Sequence, residues 1–265
     1  KGNNTLCSSP AFVFGVSAKI RDLIRFGRRC LMEFEKLAEQ FWEQGFVVVE
    51  SFFQTDEMDR LCHLIFEEFG DSPSFMHDEE FLEKSKADVI PWFPQREGVF
   101  DFDATGNHRD LQRLTAAILG EQWCEQYTMV MFSNRNSDGQ SWHQDCPPEN
   151  PSRFNLNRLV YPHDIDDQTG GRTVVMPGSH RRGVLPAGAP NEDLDGQVVL
   201  QLNKGTLVLL HGHCWHRVLP INNSKRVSIN FRSAPAGTPD DITDVCVYRN
   251  MRYRFSTSEL YQVEA

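Results

Sequence analysis

The run Ser141-Trp142-His143-Gln144-Asp145 sets an imidazole and a carboxylate at positions i and i+2. In a β-strand those positions share a face, so both side chains can turn to one metal ion. A carboxylate with two imidazoles suits Fe(II), and three ligands on one octahedral face leave positions open for small molecules. The pattern alone is weak, because the chain has nine histidines and a second such pair, His108-Arg109-Asp110. That second pair falls in a stretch with helical periodicity. There, positions i and i+2 diverge by about 200° at roughly 3.6 residues per turn and cannot chelate together. Strand context therefore selects His143 and Asp145.

A third ligand is expected from the later, β-rich part, where HGHCWH offers His211, His213 and His216. Each has an ordinary structural explanation, since histidines at strand ends are often only hydrogen-bonded. His216 is favoured by the residues after it: RVLP, a turn in INNSK, then RVSINFR. A hairpin centred near Asn223 would pair His216 with Asn230 and place Arg226, Ser228 and Asn230 on its face. Arg226 would then lie roughly 13 Å along the strand from His216, at about 3.3 Å per residue. From there its guanidinium can reach back to the far carboxylate of a five-carbon diacid chelating the metal. Arg supplies a permanently charged fork for that purpose, and the Ser228 hydroxyl adds a hydrogen bond.

The elements that must hold these groups follow from periodicity. Residues 31–45 read as an amphipathic helix stopped by Gly45, and FVVVE (46–50) as a buried strand. Thr55 is the expected N-cap of a helix running to Phe69, with Asp56 and Glu57 at its positive end. Residues 78–86 and 108–119 also read as helices, the latter capped by Asn107. Between them, ADVIPWFPQREGVFDFD reads as a loop or edge region whose part near 91–102 covers a pocket. Past residue 125 the character changes. YTMVMFS, FNLNRLVYP, RTVVMP, QVVLQL, TLVLLH, WHRVLP and RVSINFR alternate with Gly, Pro and Asn turns, which indicates a sandwich or barrel. The expected organisation is a basic, partly ordered arm over 1–30, with Arg21, Arg25 and Arg28 to one side, then a single domain over 31–265. In that domain an α-rich part (31–125) packs on a mostly β core (126–250).

Composition bounds the function. With 265 residues, 40% apolar and nineteen Phe, the chain can bury one sizeable core. A net charge of -10 argues against nucleic acid as a main partner, because phosphate binding needs a basic face. No apolar run reaches bilayer length, so integral membrane association is not expected, and the N-terminal residues hold no hydrophobic signal core. Seven scattered cysteines without a CxxC pair fit reduced thiols in the cytoplasm. Cys146 and Cys214, beside the proposed ligands, read as small buried hydrophobes.

Across FWEQGFVVVESFF, WHQD, TGGRTVVMPGSH and GTLVLLHGHCWHRVLPINNSKRVSINF, most of residues 40–233, the chain resembles the phytanoyl-CoA dioxygenase family of Fe(II)/2-oxoglutarate oxygenases. The resemblance implies a double-stranded β-helix core of cupin-like, jelly-roll form. It implies His143, Asp145 and His216 as iron ligands, Arg226 as the 2-oxoglutarate anchor with Ser228 assisting, and a structural role for His180. The implied reaction uses 2-oxoglutarate and O2 to hydroxylate a C–H bond of a small molecule, releasing succinate and CO2. Desaturation, epoxidation or rearrangement would use the same cofactors. A non-catalytic jelly-roll binding module would have no chemical need for all four of His143, Asp145, His216 and Arg226. Halogenases on this scaffold replace the carboxylate by a small residue, so Asp145 favours C–H oxidation. For the substrate, FNLNRLVYP puts Asn155 and Asn157 on one strand face. If that face is inward, buried amides imply a small polar substrate. Tyr127, Asn134, Arg135 and Arg158 are further candidate contacts, and a cation among them would suit an anionic substrate.

Overall fold

Helix α1 (33–44) buries Phe34, Ala38 and Phe41, the i, i+4, i+7 stripe of its sequence, and stops at Gly45, whose N–H bonds the Phe41 carbonyl at 2.7 Å. The computed structural model describes residues 33–70, 77, 79–239, 245–249, 251–255 and 260–263, so the basic arm expected over 1–30 lies outside the described residues. Helix α2 (Thr55–Phe69) buries Met58, Leu61 and Ile65. Thr55 is its first helical residue; Gln54 holds the cap position and makes no side-chain cap bond. Asp56 and Glu57 in the first turn offset the exposed N–H groups by charge, which replaces a hydroxyl cap. Helix α3 (Glu79–Ser85) is followed by a short α4 (Asp103–Gly106) and by α5 (Arg109–Leu119). Asn107 does not cap α5. It closes α4 instead, with its N–H on the Asp103 carbonyl at 2.8 Å, which leaves His108 as the residue before α5.

The strands, in chain order, are β1 (Phe46–Val49), β2 (Ile90–Trp92), β3 (Cys124–Ser133), β4 (Gln140–Gln144), β5 (Leu156–Tyr161), β6 (Thr173–Val175) and β7 (Val198–Val199). They continue with β8 (Thr206–His211), β9 (His216–Val218), β10 (Arg226–Ala234), β11 (Val245–Tyr248), β12 (Met251–Phe255) and β13 (Leu260–Val263). They form two antiparallel sheets, β1-β8-β5-β10-β3-β2 and β13-β12-β11-β4-β9-β6-β7. The molecule is a mostly β jelly roll with α1, α2 and α5 on the outer face of the first sheet, whereas Phe81 of α3 packs with Cys246 and Tyr248 of the second. Strand β10 shows why: Val227, Ile229 and Phe231 join Met58, Leu61 and Leu111 in the core under the helices. The alternate residues Arg226, Ser228, Asn230 and Arg232 line the space between the sheets. With both faces covered, every residue of β5, β8 and β10 is buried.

Three further expectations change. β9 and β10 do not form a hairpin; β9 lies between β4 and β6, and β10 between β5 and β3. His216 therefore pairs with His143 and Val175, not Asn230. The connecting segment spends its backbone bonds on other loops, with Ile221 N–H on Ser137 O, Asn222 N–H on Thr169 O, and Asn136 N–H on Asn222 O. It thus carries the chain from one sheet to the other. The inward faces of β9 and β10 oppose each other across the sandwich, so His216 and Arg226 still share one space. The Pro/aromatic segment supplies edge strand β2, and Trp92 and Phe102 enter the core under the helices. Only Ala87, Val89 and Pro91 of that stretch reach the inter-sheet cavity. Finally, the second sheet runs past residue 250 through β12 and β13. Among the described residues, no helix is long and apolar enough to cross a membrane.

Candidate metal centre and its cavity

β4 and β9 run side by side with His143 directly opposite His216, their ring centroids 4.0 Å apart. Asp145 follows the end of β4, its N–H on the Gly212 carbonyl at 2.8 Å. His143 Nε2 is 3.7 Å from Asp145 Oδ1, and His216 Nε2 is 3.4 Å from Oδ2. One ligand atom from each of the three residues lies within 4.8 Å of the others, and all three residues are buried. Each imidazole uses Nδ1–H on a backbone carbonyl at 2.9 Å, that of Ser141 for His143 and of Cys214 for His216. Those bonds fix the tautomer and leave both Nε2 lone pairs converging on the carboxylate. Burial, and then His216, push the His143 pKa down to about 3, so its ring is neutral near pH 7. Burial alone would raise the Asp145 pKa, but the Arg232 guanidinium beside it outweighs burial and holds the carboxyl well below the usual carboxylate range. Two imidazoles with inward-facing Nε2 atoms and one carboxylate are a donor set that fits Fe(II).

The surroundings of Asp145 account for residues that the sequence reading placed elsewhere. Asn157 Nδ2–H donates to Asp145 Oδ2 at 2.7 Å, and Asn155 Nδ2–H to the Asp145 backbone oxygen at 3.2 Å. Both amides are buried, but Asn157 is engaged in holding the carboxylate and Asn155 the Asp145 backbone, which removes the ground for expecting a polar substrate. Gly212 makes this possible. A Cβ there would lie 1.9 Å from Asn155 Oδ1, so only glycine lets the amide approach. Arg232, absent from the expected set, lies 3.3 Å from Asp145 Oδ1 and donates to Asn157 Oδ1 at 3.1 Å and to the Tyr127 hydroxyl at 2.9 Å. The alternation Arg226, Ser228, Asn230 points to it if carried one step further. Tyr248 was also missed. It stacks on the His143 ring at 5.2 Å and takes a bond from Gln140 Nε2–H at 3.0 Å.

Arg226 is buried in the same cavity. Its Nε–H donates to the Gly171 carbonyl at 2.7 Å, and its terminal nitrogens to Ser228 Oγ at 3.2 Å and Thr173 Oγ1 at 3.4 Å. Gly171 has φ +66°, and a Cβ on it would lie 2.5 Å from Arg226 Cδ. Gly171→Ala is therefore expected to displace the guanidinium and to cost about 1–3 kcal/mol in overpacking and strain. The check is 2-oxoglutarate half-saturation, which should rise while Fe(II) affinity changes little.

Of the other candidates, Tyr127 lines the cavity with Met129 and Met131. Asn134 and Arg135 lie in the turn after β3, and Arg135 is exposed. Arg158 is buried on the opposite face of β5 from Asn157, where it donates to the Phe231 carbonyl at 2.6 Å and pairs with Glu125 at 3.1 Å. None of these three lines the cavity. His211 stacks on Phe154 at 4.0 Å and His180 contacts the Trp42 carbonyl at 3.2 Å, so both serve packing.

The buried histidines give the fold a pH dependence. Burial pushes His163 and His213 down to about 4, and His211 well below its ordinary value. In the unfolded chain each binds a proton near pH 6.5, so their contribution to stability is full above that pH and is lost as pH falls towards 4. The urea midpoint of the metal-free protein should be lower at about pH 5 than at about pH 7.5, with an unchanged slope.

A sequence profile of the family described as phytanoyl-CoA dioxygenase (PhyH) matches residues 41–227 of this chain, well over half its length. The chain belongs to the phytanoyl-CoA dioxygenase family. Its fold is similar to that of SnoN, a non-haem α-ketoglutarate-dependent epimerase from nogalamycin biosynthesis, with 15% identity, TM-score 0.62, and coverage of 86% of this chain and 87% of that one. HygX from Streptomyces hygroscopicus, solved with nickel and 2-oxoglutarate bound, is 13% identical with TM-score 0.58, over 75% of this chain and 87% of its own. EvdO2 from Micromonospora carbonacea var. aurantiaca is 17% identical with TM-score 0.59, over 76% and 90%. At these identities the likeness establishes the jelly-roll fold of this family member. No curated protein is significantly similar to it in sequence.

Proposed function

We propose that this family member is an Fe(II)- and 2-oxoglutarate-dependent oxygenase that hydroxylates an unactivated C–H bond of a small molecule. The observation that carries the reading is the buried convergence of His143, Asp145 and His216 in one cavity with the buried guanidinium of Arg226. His143, Asp145 and His216 would hold the iron. Arg226, with Ser228 beside it, would take the far carboxylate of 2-oxoglutarate. Iron, 2-oxoglutarate and O2 together supply oxidation of a C–H bond by one oxygen atom, the other entering succinate as CO2 leaves. The chain's own residues bind and orient. Ser141 and Cys214 carbonyls fix the two imidazoles, Asn157 and Arg232 fix the carboxylate, and Phe81, Val89, Met129 and Met131 keep water from the reacting carbon. Asp145 supplies a carboxylate where a halide would need an open position, which favours oxygen transfer. The described cysteines, Cys62, Cys124, Cys146, Cys214 and Cys246, are all free thiols, which supports a reducing, cytoplasmic setting.

Anaerobic addition of Fe(II) and 2-oxoglutarate should produce a weak visible charge-transfer band. Its absence would overturn the oxygenase reading and leave a binding module. With O2 admitted, succinate release across a compound panel finds the substrate. Mass spectrometry then separates the outcomes, since hydroxylation adds one oxygen atom whereas desaturation removes two hydrogens.

A further inference from the structure

An ionised carboxylate accepts hydrogen bonds and donates none. Asn157 therefore turns its nitrogen to Asp145 Oδ2, at 2.7 Å, which leaves its own Oδ1 as an acceptor. That oxygen receives Asn230 Nδ2–H at 2.7 Å and Arg232 Nε–H at 3.1 Å, two donors that agree on one orientation of the Asn157 amide. The relay from Asp145 through Asn157 thus fixes Asn230 with its nitrogen inward along the chain of amides. Its Oδ1 is left buried and without a partner, in a residue only 1% exposed that lines the cavity between Ser228 and Arg232. A buried acceptor is costly when left without a donor, so this one marks a place where a donor arrives. 2-Oxoglutarate, with two carboxylates and a keto group, brings none, and neither does O2.

Charge narrows the choice further. The fixed cations among the described lining residues are Arg226 and Arg232. Arg226 is assigned to 2-oxoglutarate, and the Arg232 guanidinium is engaged by Asp145, Asn157 and the Tyr127 hydroxyl. Phe81, Ala87, Val89, Pro91, Met129 and Met131 form an apolar wall. We propose that the molecule oxidised here is an uncharged, mainly apolar one carrying a hydroxyl or N–H group donated to Asn230 Oδ1. This rests on the oxygenase reading and replaces the polar or anionic substrate expected from the sequence.

Four rigid bicyclic probes of one size test it: decahydro-2-naphthol, its methyl ether, decahydronaphthalene-2-carboxylate and the decahydro-2-naphthylammonium ion. Their binding is measured by equilibrium dialysis against anaerobic protein with Fe(II) and 2-oxoglutarate. The visible band tests the oxygenase reading in the same samples, and dialysis reads probe binding whether or not the band forms. The alcohol should bind with Kd of about 1 mM, as expected for a fragment of this size. The ether should bind roughly ten-fold more weakly, because it leaves the acceptor unfilled. Both ions should bind more weakly than the alcohol. In Asn230→Leu the alcohol-to-ether ratio should fall to about one, and a ratio within one protein is insensitive to any loss of stability or metal affinity. The proposal is overturned if the wild type binds alcohol and ether equally, if either ion binds best, or if no probe binds. Survival of the alcohol preference in Asn230→Leu would overturn it too.

Discussion

Asp145→Ala is expected to abolish the visible Fe(II)·2-oxoglutarate band and also to lower the melting temperature of the metal-free protein. The second effect arises because Asp145 is the countercharge of Arg232 as well as a ligand. The two side chains meet at 3.3 Å with Arg232 only 4% exposed. Removing one member of a buried pair takes a close countercharge from the other, at a cost of about 3–5 kcal/mol. For a chain of this length that corresponds to a fall of about 10 °C. Asn157 also loses the shorter of its two acceptors and keeps the Leu210 carbonyl at 3.4 Å. Adding Arg232→Met to Asp145→Ala should recover most of the stability and none of the metal binding, a non-additivity that a double-mutant cycle reads directly. Arg232→Met alone should weaken Fe(II) binding by about 10–100-fold, because the carboxylate loses one of the groups that orient it. If Asp145→Ala melts with the wild type, the buried pair does not carry the energy assigned to it.

The features legible in the sequence are those that depend on local geometry. His143 and Asp145 share a strand face whatever strand lies beside them, and the structure brings them together as that alternation requires. The same alternation separates the two faces of β10, with Arg226, Ser228 and Asn230 between the sheets and Val227, Ile229 and Phe231 under the helices. Strand pairing is a long-range choice that periodicity does not encode. Hence His216 arrives at the cluster through β4 and β6 instead of the expected β10. That Asn155 and Asn157 share a strand face was equally readable, but which way the face points and what it meets were not. A buried amide needs a hydrogen bond, and whether a ligand or a neighbouring carboxylate supplies it depends on where Asp145 folds back. Arg158 failed for the same reason, since Glu125 and the Phe231 carbonyl come from other strands. Tyr248 and Cys246 approach from β11, a strand about a hundred residues after His143 whose VCVY sequence carries no sign of chemistry.

Arg226→Leu is expected to leave Fe(II) binding near the wild-type value and to remove the selectivity for 2-oxoglutarate over 2-oxopentanoate, the oxoacid of equal length without the distal carboxylate. In the wild type the guanidinium is already positioned by the Gly171 carbonyl, Thr173 and Ser228, so little ordering is needed when a carboxylate arrives. Truncating one partner of a buried, hydrogen-bonded charge pair costs about 2–5 kcal/mol, which is at least ~30-fold in affinity. The band should therefore need a correspondingly higher concentration of 2-oxoglutarate in Arg226→Leu, while the response to 2-oxopentanoate should barely change. Arg226→Lys should fall between them, because an ammonium keeps the charge but cannot hold the Gly171 carbonyl and present a planar fork at once. Equal loss for both oxoacids would mean that Arg226 shapes the cavity without meeting the carboxylate, and the anchor would then have to be sought at Arg232.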